Sequence, residues 1–495
     1  MRRLLFIIPL ILLCLSVSAR QYPKREFRGA WIQTVYQSQY AEMDTAGLRR
    51  YFDAMVDSLY RAGINALIFQ VRPEADAFYA SRVEPWSRFL TGEQGVGPEG
   101  DWDPMRYLIT LCHARNMEFH AWINPYRAQC NVKSALDSSH ICATHPEWLV
   151  TYGRQRMFDP GLPEARAHIC RVVDDIVSRY DIDALHMDDY FYPYPNGKAF
   201  PDTTGYRLYG GGLSLDDWRR DNVNKLVSEV SRLIKKRNPR VRFGISPFGI
   251  YRNNTTSPIG SDTRGLQNYD DLYADVLRWV EEGWIDYVVP QLYWEIGHKA
   301  ACYERLIAWW NEAIGERCQL YIGQDLTRSL DAPGIAPEST QLTYKMLLAR
   351  HYDHIDGVCF WSGYALLDNY KKCALQLRRD FFAAPALIPP YEHIDDAAPA
   401  AVKKIEAHWT ADGYRLEWKH SKKHKPLRRT AYYCVYRFPD EQSVDIDNPR
   451  ALQAIVREAE YLLPYKQGEE RWVYAVTAVD YLHNESAPKL IKLRL

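Results

Sequence analysis

A cluster of acidic and aromatic residues ends one apolar stretch of the chain, in the segment DALHMDDYFYPYPNG (183–197). Strand-like alternation gives way there to Pro and Gly, so the carboxylates stand where a buried strand becomes a loop. Burying a carboxylate without a partner is costly, so this placement needs a reason. Alternation directs Leu185 and Met187 outward and His186 and Asp188 inward. An ionised Asp188 beside a basic side chain could act as a nucleophile or stabilise an oxocarbenium ion, which is the chemistry of glycoside hydrolysis.

Glycoside hydrolysis needs a second carboxyl group, which protonates the leaving oxygen from about 5–10 Å away. Glu295 is the first candidate, because it closes the segment PQLYWE and the tryptophan before it could desolvate the carboxyl and raise its pKa. Asp76 and Asp325 stay open as alternatives, since both lie just beyond predicted strand ends. Asp189 completes the predicted catalytic set, either by contacting substrate hydroxyls or by orienting its neighbour.

Eight apolar, strand-like segments alternate with amphipathic helical segments in the first three quarters of the chain. Strands are predicted at 28–35, 65–72, 118–126, 183–189, 241–249, 285–294, 319–326 and 357–364. Helices are predicted at 44–63, with Asp44 as N-cap and Gly63 as C-cap, and at 214–238. This alternation predicts an α/β fold, a (β/α)8 TIM barrel. The alternative, an open doubly wound sheet, lacks the Gly-rich phosphate loop after the first strand.

Polar and aromatic side chains cluster at the carboxyl ends of the predicted strands, where barrel enzymes carry their active sites. The predicted substrate-binding residues are Trp31, Gln70, Arg72, Asp76, Asn124, Arg127, His186, Tyr190, Ser246, Gln291, Tyr293, Trp294, Gln324 and Trp361. The aromatic members, together with Tyr192 and Tyr194, could stack on sugar rings or serve only as packing. A purely structural alternative pairs Asp188 with Arg72. No motif requires a metal or another cofactor.

The bulk composition is that of a globular protein, with 47% hydrophobic residues, 25% charged residues and zero formal net charge. No basic block suggests a nucleic-acid partner. Residues 1–19 have a basic start, a short apolar run and small residues before the expected cleavage point, as in a secretory signal peptide. We therefore expect an exported protein of the periplasm or cell envelope, with lipoprotein anchoring as the less favoured variant. No other segment predicts a membrane span.

Changes in composition and in the pattern of apolar residues divide the mature protein into three parts. The barrel is predicted over 20–384, a Pro- and Ala-rich linker over 385–400, and a small β-sandwich over 401–495, where short segments alternate. Nine cysteines remain after the signal peptide, and their odd number and irregular spacing predict free thiols rather than a disulfide framework.

The chain resembles the glycosyl hydrolase-like family ten across about residues 25–380. The motifs that carry the resemblance are, in order, FRGAWIQTV, FQVRPEADAFY, HAWINPYR, HMDDYFYPYP, ISPFGIYRN, PQLYWEIGH and YIGQDL. The resemblance implies a glycoside hydrolase acting on a polysaccharide. Some family members are implicated in cleaving peptidoglycan strands stripped of their peptides, so peptide-stripped peptidoglycan is the expected substrate, with another polysaccharide as the alternative. Residues 401–495 resemble a fibronectin type III domain, an arrangement similar to that of Bacteroidetes members.

The family is similar to barrel hydrolases of the α-amylase and α-galactosidase type, in which a basic residue and an acid two positions later end strand four. His186 and Asp188 match this spacing, which supports Asp188 as the nucleophile. The chain departs from α-amylases after strand five, where ISPFG supplies no acid. Two competing functions remain, a non-catalytic glycan-binding protein on the same scaffold and a polysaccharide deacetylase. The deacetylase would need a metal-binding Asp/His set that the isolated histidines do not supply.

Overall fold

The computed structural model describes residues 22–336, 339–420, 426–463, 465–466 and 468–495. The chain forms two compact units, Arg28–Gln376 and a second that joins the N-terminal segment up to Phe27 with Leu377–Leu495. The predicted signal peptide lies outside the described residues. Among the helices that the structure describes, none has the length and apolar character needed to cross a membrane.

A closed barrel of eight parallel strands forms the first unit and confirms the predicted TIM barrel. The strands of this unit are β1 (Phe27–Ile32), β2 (Ala66–Arg72), β3 (Glu118–Ile123), β4 (Arg127–Gln129), β5 (Leu149–Tyr152), β6 (Gln155–Phe158), β7 (Ala184–Met187), β8 (Arg242–Ile245), β9 (Tyr287–Val288), β10 (Gln319–Asp325) and β11 (Gly357–Trp361). Strands β4, β5 and β6 form a separate antiparallel sheet inserted between β3 and β7. The other eight are neighbours in chain order, and β11 closes the barrel against β1.

Helices follow the barrel strands as the sequence pattern predicts. They are α1 (Thr45–Arg61), α2 (Arg88–Thr91), α3 (Pro104–Ala114), α4 (Ile141–Thr144), α5 (Pro163–Arg179), α6 (Thr203–Tyr209), α7 (Leu215–Arg237), α8 (Asn268–Asp271), α9 (Val276–Glu281), α10 (Tyr303–Ile314), α11 (Leu326–Asp331), α12 (Gln341–His351), α13 (Gly363–Leu367) and α14 (Cys373–Asp380). In α1, Asp44 accepts a hydrogen bond from the backbone N–H of Gly47 at 2.6 Å, which confirms the predicted N-cap. The C-cap is Ala62 rather than the predicted Gly63, which comes next with φ of 92°, a conformation that glycine adopts without strain.

Most barrel strands end earlier than their apolar segments suggest, although β2 ends at Arg72 as predicted. Strand β9 is the clearest case, because its continuous ladder ends at Val288 and only Gln291 pairs again, with Phe248 and Gly323, although the apolar segment continues to Trp294. Pro290 has no backbone N–H and cannot continue the ladder, although its carbonyl accepts a hydrogen bond from the N–H of Gly323. The residues after Gln291 are in a loop, where their side chains can converge above the barrel.

An aromatic side chain fills the barrel interior beside a glycine. A Cβ added to Gly244 would lie 1.9 Å from Cζ of Tyr287, so only glycine leaves room for this ring. Tyr287 is fully buried, as are the strand residues around it. The barrel interior around these residues is therefore a packed core.

The second unit is all-β at its carboxyl end. Its strands are β12 (Lys404–Thr410), β13 (Gly413–Lys419), β14 (Thr430–Phe438), β15 (Leu452–Val456), β16 (Glu460–Leu463), β17 (Arg471–Asp480) and β18 (Lys489–Arg494). They form two sheets, in the orders β12-β13-β16 and β15-β14-β17-β18. Leu416, Trp418, Val435 and Val476 pack together between the sheets. The likeness to fibronectin type III stays a prediction. The cysteines in the described part of the chain are free thiols, as predicted.

Candidate active site

A cavity of about 510 Å³ opens at the carboxyl ends of the barrel strands. Its lining residues are Trp31, Trp122, Asp188, Asp189, Tyr190, Tyr194, Ser246, Phe248, Gln291, Tyr293, Trp294, Arg328 and Trp361. Both carboxyl groups of this wall follow β7 directly, and aromatic rings make up most of the remainder. Such a volume suits a small-molecule or saccharide ligand, and its position at the top of the barrel is that of a barrel active site.

Asp188 is a buried carboxyl group held by several donors. Its Oδ2 accepts hydrogen bonds from Nδ2 of Asn124 and, at 3.3 Å, from Nε1 of Trp122, and its Oδ1 accepts from the N–H of Tyr190. Burial raises the pKa of Asp188, while the guanidinium of Arg127 and these donors act in the opposite direction. The positive charge beside Asp188 thus comes from Arg127, and not from His186 as the strand spacing suggested.

Asp189 is the second carboxyl group on the cavity wall, and its environment is different. Burial and the negative charge of Asp188 raise its pKa to about 7. The hydroxyl of Tyr194 donates to Oδ2 of Asp189, and Gln291 also hydrogen-bonds the carboxyl group. A carboxyl group with this pKa is about half protonated in neutral solution and can donate that proton.

The two carboxyl groups, called the acid and base pair below, differ in the charge that their surroundings favour. Asp188 has the positive neighbour and the larger set of donors, so it is the group that holds the negative charge. Asp189 takes up the shared proton because a second charge in the same site is unfavourable. Tyr293 faces this pair, and burial followed by the charge of Asp189 raises its pKa well above the usual range, so that its phenol stays protonated.

His186 begins a row of hydrogen bonds that runs down the barrel interior. Nε1 of Trp31 donates to Nε2 of His186 at 3.2 Å, which assigns the imidazole proton to Nδ1. That Nδ1–H donates to the hydroxyl of Tyr287 at 3.0 Å, the hydroxyl donates to Nδ1 of His120 at 2.8 Å, and Nε2–H of His120 donates to Glu118 at 2.9 Å. Burial lowers the pKa of His186 well below its usual value, so the ring is neutral.

Several predicted binding residues lie behind the cavity wall. Gln70 is buried, and its Nε2 donates to Oδ1 of Asn124 at 2.5 Å, so both amides hold Asp188 from below. Arg127 is buried with its guanidinium carbon 4.8 Å from the ring centre of Tyr190. These residues position the cavity wall.

The alternative that paired Asp188 with Arg72 is wrong. Nε and Nη2 of Arg72 donate to the two carboxylate oxygens of Glu84, each at 2.7 Å, and Nη1 donates to the carbonyl of Asn124. This bidentate pair fixes the carboxyl end of β2 and leaves Asp188 for other partners.

The three other candidates for the acid lie away from the cavity wall. Asp76 is buried and accepts a hydrogen bond from Nε2 of Gln94 at 3.0 Å, and burial together with nearby Glu74 raises its pKa to about 7. Asp325 caps α11 by accepting from the N–H of Arg328 at 2.8 Å.

Glu295 is half-buried, and its charge acts on the buried ammonium of Lys345. Gln324, predicted to bind substrate, is fully buried and donates to the hydroxyl of Tyr303.

The cavity also contains residues that the sequence reasoning missed. Trp122 stands two positions before Asn124 on β3, so strand alternation places both on the same face, and this signal was available. Arg328 is in the first turn of α11, and its placement depends on where this short helix begins, after its N-cap Asp325. Phe248 follows β8 and packs edge-on against Trp294, with ring centres 5.3 Å apart. No cluster of three or more potential metal ligands occurs in the described part of the chain.

Comparison with known proteins gives the family of the chain. Residues 26–339 match the family model described as glycosyl hydrolase-like 10. The chain belongs to the glycosyl hydrolase-like 10 family. It is 39% identical over 479 residues to "Glycosyl hydrolase YngK" of Bacillus subtilis (strain 168), a match that covers 93% of this chain and 92% of the relative. It is also 39% identical over 325 residues to "Glycosyl hydrolase DigH" of Escherichia coli (strain K12), covering 61% of this chain and 74% of the relative.

Family membership places the chain among the enzymes and confirms the predicted glycoside hydrolase. The binding-protein alternative is thereby set aside. Among solved structures, the glycoside hydrolase domain of PgaB from Bordetella bronchiseptica is similar with a TM-score of 0.46 and 12% identity, over 72% of this chain and 99% of that domain. The catalytic domain of β-amylase from Paenibacillus polymyxa is similar with a TM-score of 0.46 and 10% identity, over 73% of this chain and 99% of that domain.

Proposed function

We propose that this glycoside hydrolase cleaves internal glycosidic bonds of peptidoglycan strands that have lost their peptides, and that it does so after export to the cell envelope. The observation that carries the proposal is the acid and base pair on the cavity wall. Asp189, with a pKa of about 7, would protonate the leaving oxygen. Asp188, held by its donors and by Arg127, would stabilise the positive charge that develops at the anomeric carbon.

Asp189 is preferred to Glu295 as the proton donor in this proposal. Both Asp188 and Asp189 line the cavity, whereas Glu295 is not among its lining residues. A proton donor must reach the leaving oxygen through hydrogen-bond contact, so a place on the wall is the first requirement. Burial and the charge of Asp188 then supply the raised pKa that the role demands.

Arg328 supports the choice of a stripped strand. It is exposed on the cavity wall, and its guanidinium makes no ion pair with any residue that the structure describes. Removing the peptide from peptidoglycan converts a lactyl amide into a free carboxylate. A guanidinium binds a carboxylate through two parallel hydrogen bonds and gains much less from an amide, so Arg328 would favour stripped strands over intact ones.

The experiment measures the fragments that the purified mature chain (20–495) releases from intact and from peptide-stripped glycan strands. We expect release from stripped strands only, and its loss in a folded Asp188→Asn variant. Arg328→Ala should raise KM for stripped strands about tenfold, as loss of a charge-assisted hydrogen bond implies. Absence of release by the wild-type protein from both substrates would refute the proposed substrate, and full activity of Asp188→Asn would refute the assigned role.

A further inference from the structure

A second cavity, of about 630 Å³, adjoins the catalytic cavity and is not explained by the acid and base pair. The two cavities share Tyr190 and Tyr194, so these rings form the wall between them. The rings stack on each other, with centres 5.3 Å apart and planes 25° apart. The second cavity is therefore continuous with the reaction site along one aromatic surface.

The lining of the second cavity suits a sugar. Its wall carries Tyr36, Asn131, Tyr152, Arg154, Gln155 and Asn196. Amide and phenol groups offer donors and acceptors for hydroxyl and acetamido groups, while the rings present apolar faces. Arg154 is exposed, and no described residue forms an ion pair with its guanidinium, so a carboxylate on the sugar would find a partner there.

The inserted antiparallel sheet builds one side of this cavity. Tyr152 and Gln155 pair across a two-residue turn, in which Gly153 has φ of 65° and Arg154 stands at the tip. The hydroxyl of Tyr152 donates to the carbonyl of Lys198 at 3.0 Å and accepts from the N–H of Asn196 at 3.0 Å. The carbonyl of Arg154 accepts from the N–H of Val132 at 2.9 Å. The tip is thus fixed to the loops on both sides, and the cavity is preformed.

Tyr36 also lines the second cavity, and its backbone conformation is unfavourable. Its φ of 59° lies in the left-handed region, which is unfavourable for a residue with a bulky side chain. The side chain is nevertheless 67% exposed and contacts Phe89 edge-on, with ring centres 5.8 Å apart. Backbone N–H groups of Thr34 and Val35 both donate to the side-chain oxygen of Gln70, which fixes the chain just before this residue. A strained residue that presents its ring to solvent beside a cavity is typical of a binding position.

We infer that the second cavity is a distal saccharide-binding site, which holds sugars of the same glycan strand while another part of it lies at Asp188 and Asp189. The inference rests on the proposed function, because the occupant is the remainder of the strand being cleaved. Tyr36 stacks on a sugar ring, and Arg154 binds a carboxylate carried by such a sugar. The consequence is a preference for long strands and for cleavage inside them.

The experiment compares binding of a peptide-stripped disaccharide with binding of long stripped strands by titration calorimetry. It is done on the full mature chain with Asp189→Asn, so that turnover does not consume the ligand. Tyr36→Asn removes the ring and keeps a residue that accepts positive φ, and Arg154→Ala removes the charge. Matched controls are Tyr60→Asn and Arg50→Ala, which change exposed residues of α1.

We expect long strands to bind more tightly than the disaccharide, and each cavity variant to weaken only the long strands, by about tenfold. The control variants should bind both ligands as the parent does. Equal binding of the two lengths, or equal losses in cavity and control variants, would overturn the distal site even if the wild-type protein cleaves stripped strands. Length-dependent binding without cleavage by the wild-type protein would keep the distal site and refute the proposed reaction.

Discussion

Replacing Asp189 with Asn should lower activity and raise stability at the same time. Asn keeps the shape and can still accept the hydrogen bond of the Tyr194 hydroxyl, but it cannot donate a carboxyl proton. Loss of a general acid costs about 100- to 10,000-fold in kcat. Because a proton donor works only when protonated, wild-type activity should fall as the pH rises through about 7. The variant should lack that fall.

The stability change follows from the raised pKa. The folded protein binds the Asp189 proton with a pKa of about 7, against an ordinary value of 3.8 that applies when the chain is unfolded. Between these values the folded state holds a proton that the unfolded state releases, so stability falls as the pH rises. Above pH 7 the loss reaches about 4 kcal/mol, at ~1.36 kcal/mol for each pH unit between the two pKa values. Asn carries no such cost, so the gain should be small at low pH and largest in mildly alkaline solution.

The assay pairs kcat on stripped strands with urea unfolding over a range of pH, for the wild type, Asp189→Asn and the exposed control Asp101→Asn. An aryl glycoside with a good leaving group provides a second check, because its departure needs little protonation and should restore much of the variant's rate. The reasoning fails if Asp189→Asn retains most of its activity, or if its stability relative to wild type does not change with pH. The control should match wild type in both measurements.

Three further changes test the barrel and the cavity wall. Gly244→Ala would place a methyl group 1.9 Å from Cζ of Tyr287 and should lower the free energy of unfolding by about 3 kcal/mol or more. Urea denaturation should show a lower midpoint, and an unchanged midpoint would contradict the packing described. Tyr287→Phe removes the hydroxyl that joins two buried imidazoles and should cost ~1–3 kcal/mol by the same measurement, with the pH profile of kcat unmoved. Trp361→Ala removes a half-buried ring from the cavity and should raise KM about tenfold with kcat retained; an unaltered KM would exclude it from binding.

The fold was predictable because its signals are local. The apolar spacing of α1, its capping by Asp44 and the strand-like segments each depend on a few neighbouring residues, and the structure bears them out. The inward direction of Asp188 followed from alternation along β7 in the same way. Strand ends were less predictable, since Pro290 interrupts the ladder of β9 in the middle of an apolar run.

The chemistry at the site was only partly predictable, because it depends on residues far apart in the sequence. Nearness to a tryptophan suggested Glu295 as the acid, but adjacency in the chain does not set the direction of a loop side chain. The pKa of Asp189 is raised by burial and by Asp188, and the supporting contact with Gln291 joins two strand ends about a hundred residues apart. Arg328 depends on where a short helix begins. None of these contacts follows from the regular spacing of residues by which helices and strands are predicted from a sequence.

The hydrogen bonds in the row inside the barrel all donate in the same direction. Each proton in the row points away from the cavity floor, which Trp31 and Ser246 form, and toward the amino-terminal end of β3. The donors at the floor are therefore used inside the barrel. The indole N–H of Trp31 is committed to Nε2 of His186, and the hydroxyl of Ser246 has two acceptors near it, the same nitrogen at 2.9 Å and the carbonyl of Met187 at 3.5 Å. The two residues therefore offer a ligand ring faces and oxygen lone pairs but no spare proton. Donors to a ligand's acceptor groups must therefore come from the side walls. The floor contributes to shape complementarity, and the side walls contribute to chemical specificity.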